Sequence, residues 1–262
     1  MNPVTEFENE FKAFTEARNA IAVSNGTAAL MAAIYALDLP PKSNIITTPY
    51  TFPATANAII LSGHKPVFVD VAHDYLIDPV RVEEASREAE AILVVHLFGK
   101  PCNMREIMTF HLPVIEDCSQ AIGLTIGKRY AGTIGSLGTF SFYASKNLST
   151  FEGGMVTTEN GFMADRARSF INHGFEKGEM VDLGYNFKMP WICAFIGQQT
   201  LALHKPGILA ELGRYSAKDG YYPKVVYDHK WYRANPRKWK AYPCPVAERL
   251  AKEVKDRASK SI

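Results

Sequence analysis

A single lysine interrupts a run of β-forming residues between positions 140 and 158, FSFYASKNLSTFEGGMVTT. Lys146 is flanked by Ser145 and Asn147, and a Glu-Gly-Gly turn follows at 152–154. A lysine just past a strand in apolar surroundings is desolvated, which lowers its pKa and favours the neutral amine. A neutral amine forms a Schiff base with a carbonyl, which is how lysines act as covalent catalysts. The plainer use is a surface lysine in a loop, so its neighbours have to decide.

Two more groups bear on that choice. Asp117 closes the strand-like PVIED and either caps a helical turn over SQAIG or pairs with a protonated pyridine nitrogen, making that ring an electron sink. Gln120 shares its side if a helical turn begins there. The stretch SNGTAAL at 24–30 places small residues at the start of a helix. Such a start is an ordinary cap, or its unpaired N–H groups and dipole hold a phosphate. Neither G-x-G-x-x-G nor G-x-x-x-x-G-K-[ST] is present, which leaves dinucleotide and P-loop readings without their fingerprints. A phosphate cradle, an acid for a pyridine nitrogen and an amine for an aldehyde are the three handles that hold pyridoxal 5'-phosphate.

The elements that must position these groups are legible from periodicity. Apolar runs at 20–24, 44–49, 66–71, 91–98, 113–117, 139–143 and 154–158 read as strands, several apolar on both faces, as in a sheet covered on both sides. Helix-like segments at 27–37, 52–62 and 79–91 lie between the early ones. The alternation predicts an α/β fold with a mostly parallel sheet and right-handed crossovers. Ligands of such sheets gather beyond the carboxyl ends of the strands, where Lys146, Asp117, His96 and the 24–27 turn all fall. From about Pro206 the composition turns to Tyr, Pro, Lys and Arg, which divides the chain into a large unit over 1–205 and a small one over 206–262 closed by a helix, AERLAKEVKDRA.

The totals exclude other classes. The 262 residues are 47% hydrophobic and 21% charged, enough for a substantial core. A net charge of +2 supplies no electrostatic reason for nucleic acid or a membrane surface as partner. The acidic start MNPVTEFENEFKAF reads as neither signal peptide nor membrane span, so a cytoplasmic protein is expected. Cys102, Cys118, Cys193 and Cys244 form no C-x-x-C pair and read as free thiols, with no metal site signalled.

The stretches FENEFKAF, IAVSNGTAAL, PYTFPATANAIILSGHKPVFVDV, VVHLFGKPCNM, VIEDCSQAIG, GTFSFYASKNLSTFEGGMVTT, NHG, LGYNFKMPWICAFIGQQTL and CPVAERL follow one another over nearly the whole chain. In that order they resemble the DegT/DnrJ/StrS sugar aminotransferases of the aspartate aminotransferase fold type, with a seven-stranded-type sheet. The resemblance implies that Lys146 is the Schiff-base lysine, Asp117 the pyridinium partner and Gln120 the partner of the ring hydroxyl side. It places Gly26, Thr27, Ala28 and Ser141 on the phosphate and Phe52 against the ring. Asn186 would reach the phosphate of the neighbouring subunit, which implies a homodimer. L-glutamate is the implied donor and a keto-sugar, nucleotide-linked, the implied acceptor. Alternatives within view are a sugar dehydratase, expected to carry histidine in place of the lysine, and a non-catalytic binding or regulatory protein.

Against that pattern the N-terminal and small-domain segments look shortened, and Cys118, Asn103, Ile171 and Phe151 stand where other residues are usual. His173 before Gly174 reads as a helix C-terminal pair, His96 as a loop-binding residue, and Asn186, without the resemblance, as a turn residue.

Overall fold

The computed structural model describes residues 2–204 and 222–259. The expected boundary between residues 205 and 206 falls outside the described residues.

Helix α1 (Pro3–Thr15) leads to β1 (Asn19–Val23), α2 (Gly26–Ala36), β2 (Asn44–Thr47), α3 (Pro53–Leu61), β3 (Lys65–Phe68), α4 (Pro79–Ser86) and β4 (Ala91–Val95). After the short α5 (Met104–Ile107) come β5 (Val114–Asp117), the small hairpin of β6 (Thr125–Ile126) and β7 (Arg129–Tyr130), β8 (Leu137–Ser141), β9 (Gly154–Thr158) and α6 (Gly161–Ile171). A second hairpin, β10 (Phe175–Glu176) with β11 (Glu179–Met180), precedes α7 (Trp191–His204). The C-terminal part supplies α8 (Lys230–Ala234), β12 (Lys240–Ala241) and α9 (Pro245–Ser259).

Eight strands form the main sheet in the order β1-β9-β8-β5-β4-β2-β3-β12. β9 runs antiparallel to both neighbours, and the pairings from β8 through β12 are parallel. The seven expected strands are all present. The eighth, β12, is two residues long and rests on Val67 and Phe68 at the sheet edge. Nothing in so short a segment announces a strand; pairing with an open edge creates it.

α2 is apolar around most of its circumference, and Ala28 through Ile34 are buried, as expected of a helix enclosed on all sides. That burial ties its N-terminus rigidly to the carboxyl end of the sheet. α1 covers the other layer with Phe7, Phe11 and Phe14; the rings of Phe7 and Phe11 meet Phe140 and Phe142 edge-on at 5.0–5.5 Å. Glu8 of the FENEF stretch is buried, accepts the Ala22 N–H and takes a two-pronged ion pair from Arg168 of α6. One carboxylate therefore joins α1, β1 and α6.

The described C-terminal residues pack on the same sheet. Asp70 accepts the first N–H groups of α9, from Val246 and Ala247, at 2.9 and 2.8 Å. Ala247, Leu250, Ala251 and Val254 of that helix join the main core. A long-range carboxylate thus caps the CPVAERL helix, a role neither stretch announces in isolation.

Candidate active site

A cavity of about 650 Å³ opens beyond the carboxyl ends of β4, β5 and β8, against the N-termini of α2 and α3. Gly26, Thr27, Ala28, Phe52, Asp117, Gln120, Ser141 and Lys146 all line it. Its size lies within the range of small-molecule sites.

The α2 end is shaped for close approach. A Cβ on Gly26 would lie 2.8 Å from the Ser141 Cβ, so only glycine lets the helix start rest on β8. Asn25 caps the helix: its side chain accepts the Ala28 N–H at 2.8 Å and its carbonyl the Ala29 N–H at 3.0 Å. The N–H groups of Gly26 and Thr27 then have no acceptor among the described residues, and both residues stand on the cavity wall. Ala28 lines the wall, but its N–H is committed to the cap. The Glu-Gly-Gly turn serves the same junction, since a Cβ on Gly154 would lie 2.7 Å from the Asn25 carbonyl oxygen.

Asp117 is the last residue of β5 and is 4% exposed. Its Oδ2 accepts from Thr55 Oγ1 at 3.0 Å and its Oδ1 from the Ser119 N–H at 3.1 Å. The helical turn weighed for SQAIG is absent. Residues 118–123 form successive turns, with the Ala121 N–H donating to the Cys118 carbonyl. The Asp117 carboxylate folds over Ser119 in an Asx-type turn, not a helix cap. Gln120 reaches the cavity by that route, its Oε1 accepting the Phe98 N–H and its Nε2 donating to the Tyr222 hydroxyl.

Lys146 sits in a turn after β8, half-buried, its backbone N–H donating to the Tyr143 carbonyl. Burial pushes its ammonium pKa down, with the negative charge of Asp117 opposing. Phe52 caps α3 at the cavity mouth and is 60% exposed. Asn186 is exposed, lies outside this cavity and bridges Asn172.

Sequence reasoning missed several residues of the wall, among them Thr55, Tyr143 and Tyr222. Thr55 had a signal: Thr51 and Thr55, four apart, put two hydroxyls on one face of the α3 start, and they lie 3.1 Å from each other. Tyr222 had none, because only folding brings it to Gln120.

Beneath the site, His96 and Glu116 are fully buried and paired at 2.9 Å. His96 Nδ1 accepts the Cys102 N–H, which can only donate, so the ring carries its proton on Nε2 and gives it to Glu116. His96 therefore holds the 97–102 loop, as expected, and also grips a carboxylate. Burial pushes the Glu116 carboxyl up, but the His96 hydrogen bond and the N–H groups of Gly135 and Gly132 outweigh it, and the net shift is downward. Cys118 brings its sulfur within 4.8 Å of this pair. The Glu116 oxygens already accept from His96, Gly132, Ile134 and Gly135, which makes the cluster a hydrogen-bonded core element.

At the other positions where the chain departs from the usual residues, Asn103 caps α5 and Ile171 is buried, while Phe151 is exposed with φ 64°. His173 adopts φ 59° one residue past the α6 cap, and the Gly174 N–H closes back on the Ser169 carbonyl at 2.8 Å. That is a Schellman closure with histidine in the left-handed position and glycine one place later.

Sheet order, buried central helix and the cavity they shape define a chain of the aminotransferase fold. It matches the DegT/DnrJ/EryC1/StrS aminotransferase family over residues 2–205 and belongs to that family. It is 43% identical over 180 residues to the spore coat polysaccharide biosynthesis protein SpsC of Bacillus subtilis, covering 66% of this chain and 46% of that protein. A GDP-perosamine synthase of Escherichia coli O157:H7 is 37% identical over 205 residues, 75% of this chain and 56% of its own. The chain thus spans about half the length of the curated relatives it matches. Among solved structures, a DegT/DnrJ/EryC1/StrS aminotransferase from Brucella abortus superposes with a TM-score of 0.86 at 25% identity, over 96% of this chain and 83% of that one. No helix among the described residues is long and apolar enough to cross a membrane.

Proposed function

We propose that this chain is a pyridoxal-phosphate aminotransferase that takes an amino group from L-glutamate and delivers it to the carbonyl of a keto-sugar carried on a nucleotide. The observation that supports it is the meeting of Lys146, Asp117, Gln120 and the open N-terminus of α2 on one cavity. The residues fit the cofactor on independent grounds. The glycine-tight junction of Gly26 with Ser141 leaves two unclaimed N–H donors where a phosphate dianion is favoured. An oriented carboxylate and a desolvated amine stand on the same wall. Named relatives that act on GDP- and UDP-linked sugars support the acceptor class.

When bound, pyridoxal phosphate supplies an aldehyde for the amino group and an electron-poor ring that stabilises negative charge at the substrate carbon. Lys146 Nζ would hold the aldehyde and, once released, take a proton from one carbon and return it at the next. Burial lowers its pKa, which favours the neutral amine that both acts require. Asp117, kept in place by Thr55 and Ser119, would keep a proton on the pyridine nitrogen. Gly26, Thr27 and Ser141 would bind phosphate, Ala28 would shape its wall, and Phe52 would shield the ring from water. Asn186, which does not line its own cavity, would serve the partner's in a cytoplasmic homodimer.

The test is an absorption spectrum of the purified protein with pyridoxal phosphate, before and after L-glutamate. A visible band that L-glutamate converts to a shorter-wavelength one is expected, and Lys146→Ala should show neither band nor turnover. Absence of the band in the wild-type protein refutes the cofactor assignment. A band indifferent to L-glutamate refutes the donor and favours dehydratase chemistry.

A further inference from the structure

The Gln120 carboxamide is held at both ends. Its Oε1 accepts the Phe98 N–H at 2.8 Å, and its Nε2 donates to the Tyr222 hydroxyl at 3.0 Å. A backbone N–H can only donate, so the oxygen must face Phe98 and the amide cannot be flipped without losing that bond. Phe98 is itself fixed. It adopts φ 58° within the tight turn Leu97–Gly99, and the Cys102 N–H bound to His96 closes the loop.

Tyr222 lies 102 residues from Gln120 in sequence and is 5% exposed. Its ring meets Tyr50 edge-on at 5.7 Å and Phe98 at 6.1 Å. Gln120 and Tyr222 both line the cavity. A carboxamide has two N–H donors, and Tyr222 takes one. The second has no acceptor among the described residues.

We infer that Tyr222 is a positioning residue: its hydroxyl fixes the rotation of the Gln120 carboxamide so that the second N–H is presented to an acceptor oxygen of the ligand. The C-terminal segment thereby completes the site within the same chain. This rests on the pyridoxal-phosphate reading, in which that acceptor is a hydroxyl or phenolate oxygen on the ring. A rotor held by one backbone donor alone would lose orientation, and a buried polar pair has large effects when half of it is removed.

The experiment is a double-mutant cycle with Tyr222→Phe, which keeps the packed ring, and Gln120→Met, which keeps the length; Gln120→Ala replaces the latter if it does not fold. Each protein is titrated with pyridoxal phosphate, reading the dissociation constant and the pH midpoint of the visible band. Tyr222→Phe alone should weaken binding about three- to tenfold, the size of one hydrogen bond. It should also raise the midpoint, because a donor to a ring oxygen favours its deprotonated form. Both effects should vanish in the Gln120→Met background. Equal effects in both backgrounds, or none in either while the wild type binds normally, overturn this inference alone. A wild-type protein that binds no pyridoxal phosphate overturns it together with the proposed function.

Discussion

Gly26→Ala probes the α2 end of the cavity, the proposed phosphate site. The added Cβ would lie 2.8 Å from the Ser141 Cβ and 3.1 Å from its Oγ. Carbon pairs rest at about 3.5–4.0 Å, so α2 and β8 must part by roughly 1 Å. α2 is enclosed by the core and β8 is a central strand, so neither yields freely. Overpacking of this kind costs about 1–3 kcal/mol. In a chain of this size that lowers the melting temperature by roughly 2–12 °C. Because the displaced atoms carry the proposed phosphate donors, pyridoxal-phosphate affinity should fall by about 5- to 150-fold, the same energy expressed as a ratio. Calorimetry and a cofactor titration measure the two quantities. Gly161→Ala is the control, since a Cβ there meets nothing within 4 Å. Gly26→Ala/Ser141→Gly should recover stability, with affinity still short by whatever the Ser141 hydroxyl contributes. A Gly26→Ala protein with wild-type melting temperature and wild-type affinity refutes the steric reasoning.

Asp117→Asn should retain the cofactor yet lose at least about 10²-fold in kcat, because a neutral amide does not hold a proton on a pyridine nitrogen; single-turnover kinetics would expose an unimpaired variant. Glu116 has a folded pKa below its ordinary value of 4.5, so its contribution is complete above that pH and is lost as pH falls through the folded value. Melting temperature should therefore decline below about pH 4.5, and Glu116→Gln should flatten that decline while lowering stability by about 1–3 kcal/mol at neutral pH, because one amide oxygen cannot serve all the donors that the carboxylate accepts. Asn186→Ala should loosen cofactor binding. Mixed dimers of Asn186→Ala with Lys146→Ala should regain part of the activity, and a complete lack of complementation would count against a shared site.

The seven long strands and the helices between them were legible because apolar periodicity and length report burial directly, as in Ala91–Val95, buried at every position. α4 is shorter than its pattern suggested, ending at Ser86 before the chain turns into β4. Lys146, Asp117 and the glycine-led α2 start were legible because their local chemistry is unusual for their position. Gln120 was found for the wrong local reason, since a chain of turns and not a helix carries it to the wall.

By itself the sequence determined which residues have reactive chemistry, the α/β layering and the family to which the chain belongs. Those are properties of composition, spacing and order, and they persist in the unfolded chain. The tertiary structure alone decided that Thr55 orients Asp117, that His96 grips Glu116, that Asp70 caps α9 and that Tyr222 holds Gln120. Each of these joins groups 20 to 177 residues apart, and no local pattern encodes such a pairing. The pairing exists because packing the sheet removes both partners from water, so each polar atom must be satisfied by groups the fold brings beside it.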